Sequence, residues 1–255
     1  MLRSLVEHFS RNVVLRRRLP RDLGRKTVYV TPDSALRFWH WSLEFADPHL
    51  LQLARQIVRP GSVVWDIGAN VGLFAFASAA GARLVLAVEA DPWLSSLLTR
   101  SASGFENVKV LTSAVGDSPG LAELNVAKRG RSANFVTGFG TGQSGGTRFR
   151  QTVSLMTLDQ LGEHFPAPDV LKIDVEGMEA QVLAGGCNLI ARARPRIICE
   201  VLPPNVARVT DLLLQLGYNL HNGSLSPARR ACATTIAFSR QDAGPSPSDL
   251  KQQSA

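Results

Sequence analysis

Apolar residues fall in short runs along this chain, and the runs alternate with segments in which apolar positions recur every three or four residues. Val63-Val64-Trp65-Asp66-Ile67 is the clearest run; its near-continuous apolar character predicts a strand buried on both faces. Gly68-Ala69-Asn70-Val71-Gly72 then predicts a tight turn, and the alanine-rich stretch from Leu73 to Ala80 the start of a helix. Four further runs, Arg83 to Ala90, Val108 to Val115, Asp169 to Asp174 and Arg196 to Leu202, predict strands, and Thr234 to Phe238 a last one, antiparallel at the end of the sheet. Helices are expected from Pro92 to about Ser103, Glu179 to about Ala191 and Val206 to Leu216. Alternating strand and helix is the signature of a doubly wound, mostly parallel sheet.

Three regions break the alternation. Residues 1–19 carry Leu2, Leu5, Val6, Phe9, Val13 and Val14 at roughly helical spacing with arginines between them, which predicts a basic amphipathic helix. A strand at Lys26 to Thr31, the aromatics Phe38, Trp39 and Trp41 around His40, and a helix from Pro48 to Val58 follow, and the Pro60-Gly61 turn leads into the central strand. The second region is an insertion over about 119–156. Leu121 to Val126 and Phe149 to Met156 alternate as strands do and flank a Gly, Ser and Thr-rich segment, a hairpin-like excursion with a mobile tip. The third is the chain from Gly217 through His221, which reads as an excursion, with a polar, disordered tail over 240–255. The expected division is therefore a basic arm and substrate-side extension over 1–58, one domain over 59–239, and the tail.

Charge sharpens the first region. The net charge of +7 is concentrated in the first 26 residues, where eight arginines and lysines face only Glu7 and Asp22. A peripheral membrane contact through residues 1–19 is one expectation, and a helix packed on the domain with a solvated basic face the other. Cys187, Cys199 and Cys232 are odd in number and widely spaced, which suits neither a disulfide framework nor a zinc site and makes the cytoplasm the expected location. No uncharged apolar run reaches the roughly 18 residues that a membrane-spanning helix needs.

The turn after Val63–Ile67 carries the chemistry. Glycines there allow close backbone approach to a ligand, and the helix that follows offers unpaired N–H groups. The spacing Gly68-x-x-x-Gly72 differs from the G-x-G-x-x-G of dinucleotide folds, and no lysine-containing phosphate loop is present. An acid before the turn, Asp66, and an acid closing the next strand, Glu89, suit a cofactor with a ribose and a charged amino-acid end, and together they describe S-adenosylmethionine.

Asp66 to Gly72, Glu89-Ala90-Asp91-Pro92, Ala114-Val115-Gly116-Asp117 and above all Leu171-Lys172-Ile173-Asp174-Val175-Glu176-Gly177 closely resemble the FkbM family of S-adenosylmethionine-dependent methyltransferases. Met178-Glu179, Val182 to Gly186 and Arg194-Pro195-Arg196 to Glu200 extend the likeness over roughly Pro60 to Asn219. The resemblance implies a class I methyltransferase fold: a Rossmann-like, doubly wound, seven-stranded sheet, mostly parallel, with an antiparallel last strand.

It also implies roles. Asp66, Gly68, Asn70 and Gly72 would form the pocket for the methionine end, Glu89 would bind the ribose, and backbone around Ala114 would meet the adenine, since the aspartate many methyltransferases carry there is absent. Asp174 is the first candidate for a general base that removes a hydroxyl proton and Glu176 the second, with Asp174 also near the cofactor. Lys172 would fix one of these acids. Glu200 and His221 are further candidates; Arg131, Ser132 and Asn134 in the insertion read either as substrate contacts or, the favoured reading, as solvated loop residues. No metal ligand set is assigned. The expected reaction is O-methylation of a hydroxyl on a sugar, glycan or specialised metabolite. The rivals are an RNA methyltransferase, which lacks its base-stacking loop here, and a non-catalytic cofactor-binding module.

Overall fold

The computed structural model describes residues 2–140 and 145–241; the expected insertion tip at 141–144 and the tail beyond 241 lie outside the described residues. The chain opens with α1 (Leu2–Phe9), β1 (Leu15–Arg18), β2 (Thr27–Val30), α2 (Leu43–Ala46) and α3 (Pro48–Ile57). The alternating core follows with β3 (Val63–Ile67), α4 (Leu73–Ser78), β4 (Leu84–Glu89), α5 (Pro92–Ala102) and β5 (Val108–Thr112). The insertion comprises β6 (Ala114–Val115), β7 (Gly120–Ala127), β8 (Phe135–Val136) and β9 (Thr147–Met156). α6 (Leu158–His164), β10 (Val170–Ile173), α7 (Glu179–Ala184), α8 (Cys187–Ala193), β11 (Arg196–Glu200), α9 (Val206–Gln215), β12 (Tyr218–Asn222), β13 (Pro227–Ala228) and β14 (Thr234–Ser239) complete it.

The main sheet runs β13-β12-β14-β11-β10-β3-β4-β5. β11, β10, β3, β4 and β5 are mutually parallel, while β14 runs antiparallel to β11 and to β12. This is the Rossmann-like, doubly wound, mostly parallel sheet that the resemblance implied, with its antiparallel last strand and a two-residue eighth strand, β13, added at its edge. Its sixth long strand is β12, where an excursion was expected: Tyr218, Leu220 and the alternating burial around them complete the edge. Both faces are covered, so successive residues serve opposite cores. Val64, Val85 and Ala87 face the cluster under α3, α4 and α5, whereas Trp65, Leu86 and Val88 face the cluster beneath α7, α8 and α9.

Several expected elements are corrected. The helix over 1–19 stops at Phe9: Asn12 takes a left-handed φ of 60°, and Leu15–Arg18 instead pairs antiparallel with Thr27–Val30. Ser113 divides the run from Val108 to Val115 by bonding backbone carbonyls with its own hydroxyl, and Ala114–Val115 joins the insertion sheet β6-β9-β7-β8. The helix expected from Glu179 to Ala191 is two, because Gly185 lies against the backbone of Gly116, where an added Cβ would stand 2.0 Å from its carbonyl oxygen. The N-terminal region contributes Val28, Val30, Phe38, Leu51 and Leu53 to the same core as α4 and α5.

Candidate functional site

The strands that face one another in parallel end together, and their carboxyl ends open on a cavity of about 500 Å³, within the range of small-molecule sites. Gly68 begins the turn after β3 with φ +76°, and a Cβ there would fall 1.9 Å from the Asp174 carbonyl oxygen. Only glycine lets the turn after β3 pass this close to the turn after β10. Asn70, also left-handed at φ 56°, lines the cavity and accepts a 2.5 Å hydrogen bond from the Ser34 hydroxyl.

Asp66 and Gly72 do not form part of the cavity wall. Asp66 is fully buried beneath the turn; one oxygen accepts from the Ala75 N–H of α4 at 3.1 Å and the other from the Lys172 ammonium at 3.1 Å. Gly72 packs against Phe76 and Leu98. These two residues hold the turn in place.

Glu89 closes β4 and lines the cavity. Its carboxylate accepts from the Asn70 N–H at 2.7 Å and the Asp91 N–H at 2.9 Å, so it ties the turns after β3 and β4 together. Burial raises its pKa to about 7, against the opposing pull of those two N–H groups. Ser113, Ala114 and Val115 form the neighbouring wall.

On the other side of β3 from Glu89, Asp174, Glu176 and Glu200, after β10 and at the end of β11, also line the cavity. Glu176 and Gly177 both take positive φ, 46° and 111°, a sharp reversal that leaves Glu176 on the cavity wall. Burial, then the negative charges of Asp174, Glu179 and Glu200, push the Glu176 pKa to about 7. Glu200 is raised by burial and by Asp174. Lys172 stands 3.4 Å from Asp174 and 3.1 Å from Asp66. Burial works against its charge, and the two carboxylates more than offset that, holding its pKa above the ordinary lysine value. Among the described residues, no group of three or more His, Cys, Asp or Glu side chains is arranged to hold a metal ion.

Arg131, Ser132 and Asn134 are not the solvated loop residues of the favoured reading; all three line the cavity. Arg131 is buried, donates to Asp33 at 3.0 Å and to Asp91 at 2.5 Å, and lies 4.6 Å over the Trp93 ring. Asn134 donates to the same Asp91 oxygen at 2.8 Å. His221, by contrast, is on β12 against Phe238 and is not among the cavity-lining residues. The sequence reading missed Asp33, Ser34, Asp47 and His49. Asp47 and His49 line the cavity beside Glu200, but Asp47 caps α3, and a capping acid before a helix carries no signal for a site.

The methyltransferase FkbM domain matches this chain over residues 66–220. The hexuronic acid methyltransferase AglP of Haloferax volcanii is 27% identical over 160 residues, which span 63% of this chain and 64% of that protein. The chain thus aligns with less than two thirds of that relative's length. Among solved structures, methyltransferase FkbM from Methylobacillus flagellatus KT aligns with a TM-score of 0.46 at 16% identity, over 74% of this chain and 50% of that one. Precorrin-6y C5,15-methyltransferase from Geobacter metallireducens GS-15 aligns with a TM-score of 0.44 at 13% identity, over 76% and 89%.

Proposed function

Because this chain belongs to the FkbM methyltransferase domain family, which matches more than half of it, we propose that it transfers a methyl group from S-adenosylmethionine to a hydroxyl oxygen of a sugar or glycan. When bound, the cofactor supplies an electrophilic methyl on a sulfonium. The residues present fit it. A carboxylate offers roughly four lone-pair sites; in Glu89 two already accept backbone N–H groups, and the remainder suit the two ribose hydroxyls. Gly68 and Asn70 would hold the amino-acid end, and Ser113 to Val115 the adenine. Asp66 and Gly72 would serve by keeping the turn in register.

One observation carries the choice of acceptor. Asp174, Glu176 and Glu200, after β10 and at the end of β11, line the same cavity as Glu89 at the end of β4, with β3 between them. Neutral hydroxyls donate well to carboxylates, and an acceptor hydroxyl must lose its proton as its oxygen gains the methyl. Asp174 would take that proton, with Lys172 orienting it; Glu176 is the second candidate. The hexuronic acid methyltransferase among the relatives agrees with a sugar acceptor.

Titration calorimetry with S-adenosylmethionine, followed by transfer of its radiolabelled methyl to sugar acceptors and to RNA, tests the reading. Binding with label on a sugar supports it. Label on RNA would replace the acceptor class, and absence of binding would leave a module without the cofactor.

A further inference from the structure

Asn205 immediately precedes α9, a position from which an asparagine side chain ordinarily caps the first N–H groups of the helix. Here it makes no such bond. Its side-chain amide instead donates to the Gly177 carbonyl at 2.8 Å and to one carboxylate oxygen of Glu179. Glu179 opens α7, and its other oxygen accepts the Gly177 N–H at 2.8 Å. Side chains at the starts of two helices are thus committed to a single glycine.

Gly177 has need of both. It is buried, and buried backbone N–H and carbonyl groups require partners. It also belongs to the reversal in which Glu176 and Gly177 both take positive φ. A residue other than glycine persists in that conformation only where its surroundings over-determine it, and Glu176 is such a residue. The insertion packs on the same glycine, since a Cβ on Gly177 would stand 2.3 Å from the Phe139 carbonyl oxygen. Neither Glu179 nor Asn205 lines the cavity, so each reaches the site through the turn and not by touching what binds there.

We propose that Glu179 and Asn205 are positioning residues for Glu176. By holding both backbone groups of Gly177 they keep the Glu176 carboxyl in the cavity with Asp174 and Glu200; the bearing of that placement on methyl transfer rests on the function proposed above.

Carbon-13 titration of the glutamate carboxyls and amide hydrogen exchange, both on the full chain, test the proposal. In the wild type the Glu176 carboxyl should titrate near 7. Asn205→Ala removes no charge and leaves Asp174, Glu179 and Glu200 in place, yet it releases the turn. The Glu176 midpoint should then fall toward the ordinary 4.5, and the Gly177 N–H should exchange about tenfold faster, the worth of one hydrogen bond. Asn205→Asp sets two carboxylates against each other and should quicken that exchange further. Adding Glu179→Gln restores the net charge and supplies a donor to the introduced carboxylate, so exchange should return toward the wild-type rate. A Glu176 midpoint or a Gly177 exchange rate left at its wild-type value in Asn205→Ala overturns the proposal, even where the variant melts lower, because the pair would then support the fold without placing Glu176. So does an Asn205→Asp exchange rate that Glu179→Gln fails to slow. Neither measurement uses cofactor or acceptor, so failure here is distinct from failure of the methyltransferase reading.

Discussion

Lys172 and Asp66 form a buried ion pair, 3.1 Å between ammonium and carboxylate, with side chains 3% and 0% exposed. They meet because β10 and β3 are parallel neighbours in which Lys172 is registered opposite Asp66. Asp66 in turn accepts the Ala75 N–H, so the pair anchors the glycine turn to both the next strand and the next helix. Removing one partner of such a pair leaves a charge stranded, at a cost of about 3–5 kcal/mol. Lys172→Met should therefore lower the melting temperature by roughly 10 °C, given the slope for a domain of this size. The double change Lys172→Met with Asp66→Asn should recover much of that loss. A single variant that melts with the wild type would show that the pair does not anchor the turn.

If Glu89 holds the ribose as proposed, cofactor affinity should depend on pH. Its pKa is raised from 4.5 to about 7, so near neutrality the empty site is partly protonated. Ribose hydroxyls would donate to the ionised form. Affinity for S-adenosylmethionine should thus weaken up to tenfold per pH unit below about 7 and level off above it, a slope that Glu89→Gln would flatten. The stability of the empty protein moves the other way. A carboxyl that holds its proton more tightly when folded stabilises the fold at low pH, and the benefit disappears as pH rises from 4.5 through 7, by about 1.4 kcal/mol per unit. Calorimetric titrations across this window that show a pH-independent dissociation constant would remove Glu89 from the ribose site.

Asp174 and Glu176 are two residues apart and differ in setting. Asp174 stands 3.4 Å from the Lys172 ammonium, whereas the Glu176 carboxyl is raised to about 7 by burial and by the negative charges around it. If Asp174 is the base, Asp174→Asn should lower kcat by about 10²–10⁴-fold with an unchanged cofactor dissociation constant. Glu176→Gln should then cost far less. If kcat rises through pH 7 and Glu176→Gln alone abolishes that rise, the base is Glu176 instead.

The parts legible in the sequence are those whose signal is local. Runs such as Val63 to Ile67 announce buried strands because both faces of the sheet are covered, and Asp91-Pro92 announces the start of α5 because the acid caps the helix and the proline needs no hydrogen bond there. α6 carries a local signal of the same kind, the capping box from Thr157 to Gln160. What could not be read depends on distance. Ser34 bonds Asn70 from 36 residues away, and Arg131 meets Asp33 across 98. Neither pairing leaves a periodic trace. The same holds for β1, whose consecutive arginines read as a helical face until a partner strand is known. Thus the turn and its acids were visible, while the wall that closes over them was not.

That wall offers the last prediction. Arg131 bridges Asp33 from the N-terminal region and Asp91 from the start of α5, and both acids are 1% exposed at the side chain. Arg148 also pairs with Asp33, and Asn134 with Asp91, so one network joins the insertion, the N-terminal region and the strand end that carries Glu89. Arginine suits the position because its planar fork can serve two carboxylates at once, which a lysine ammonium on a single stem does less well. Arg131→Ala should cost about 3–5 kcal/mol by stranding buried acids, and Arg131→Lys should fall between it and the wild type. Since Asp91 also donates its N–H to Glu89, cofactor affinity should weaken in the same order. Amide exchange should quicken at residues 131–136 in both variants. If Arg131→Ala unfolds like the wild type and its insertion exchanges no faster, the network is not what holds the insertion over the cavity.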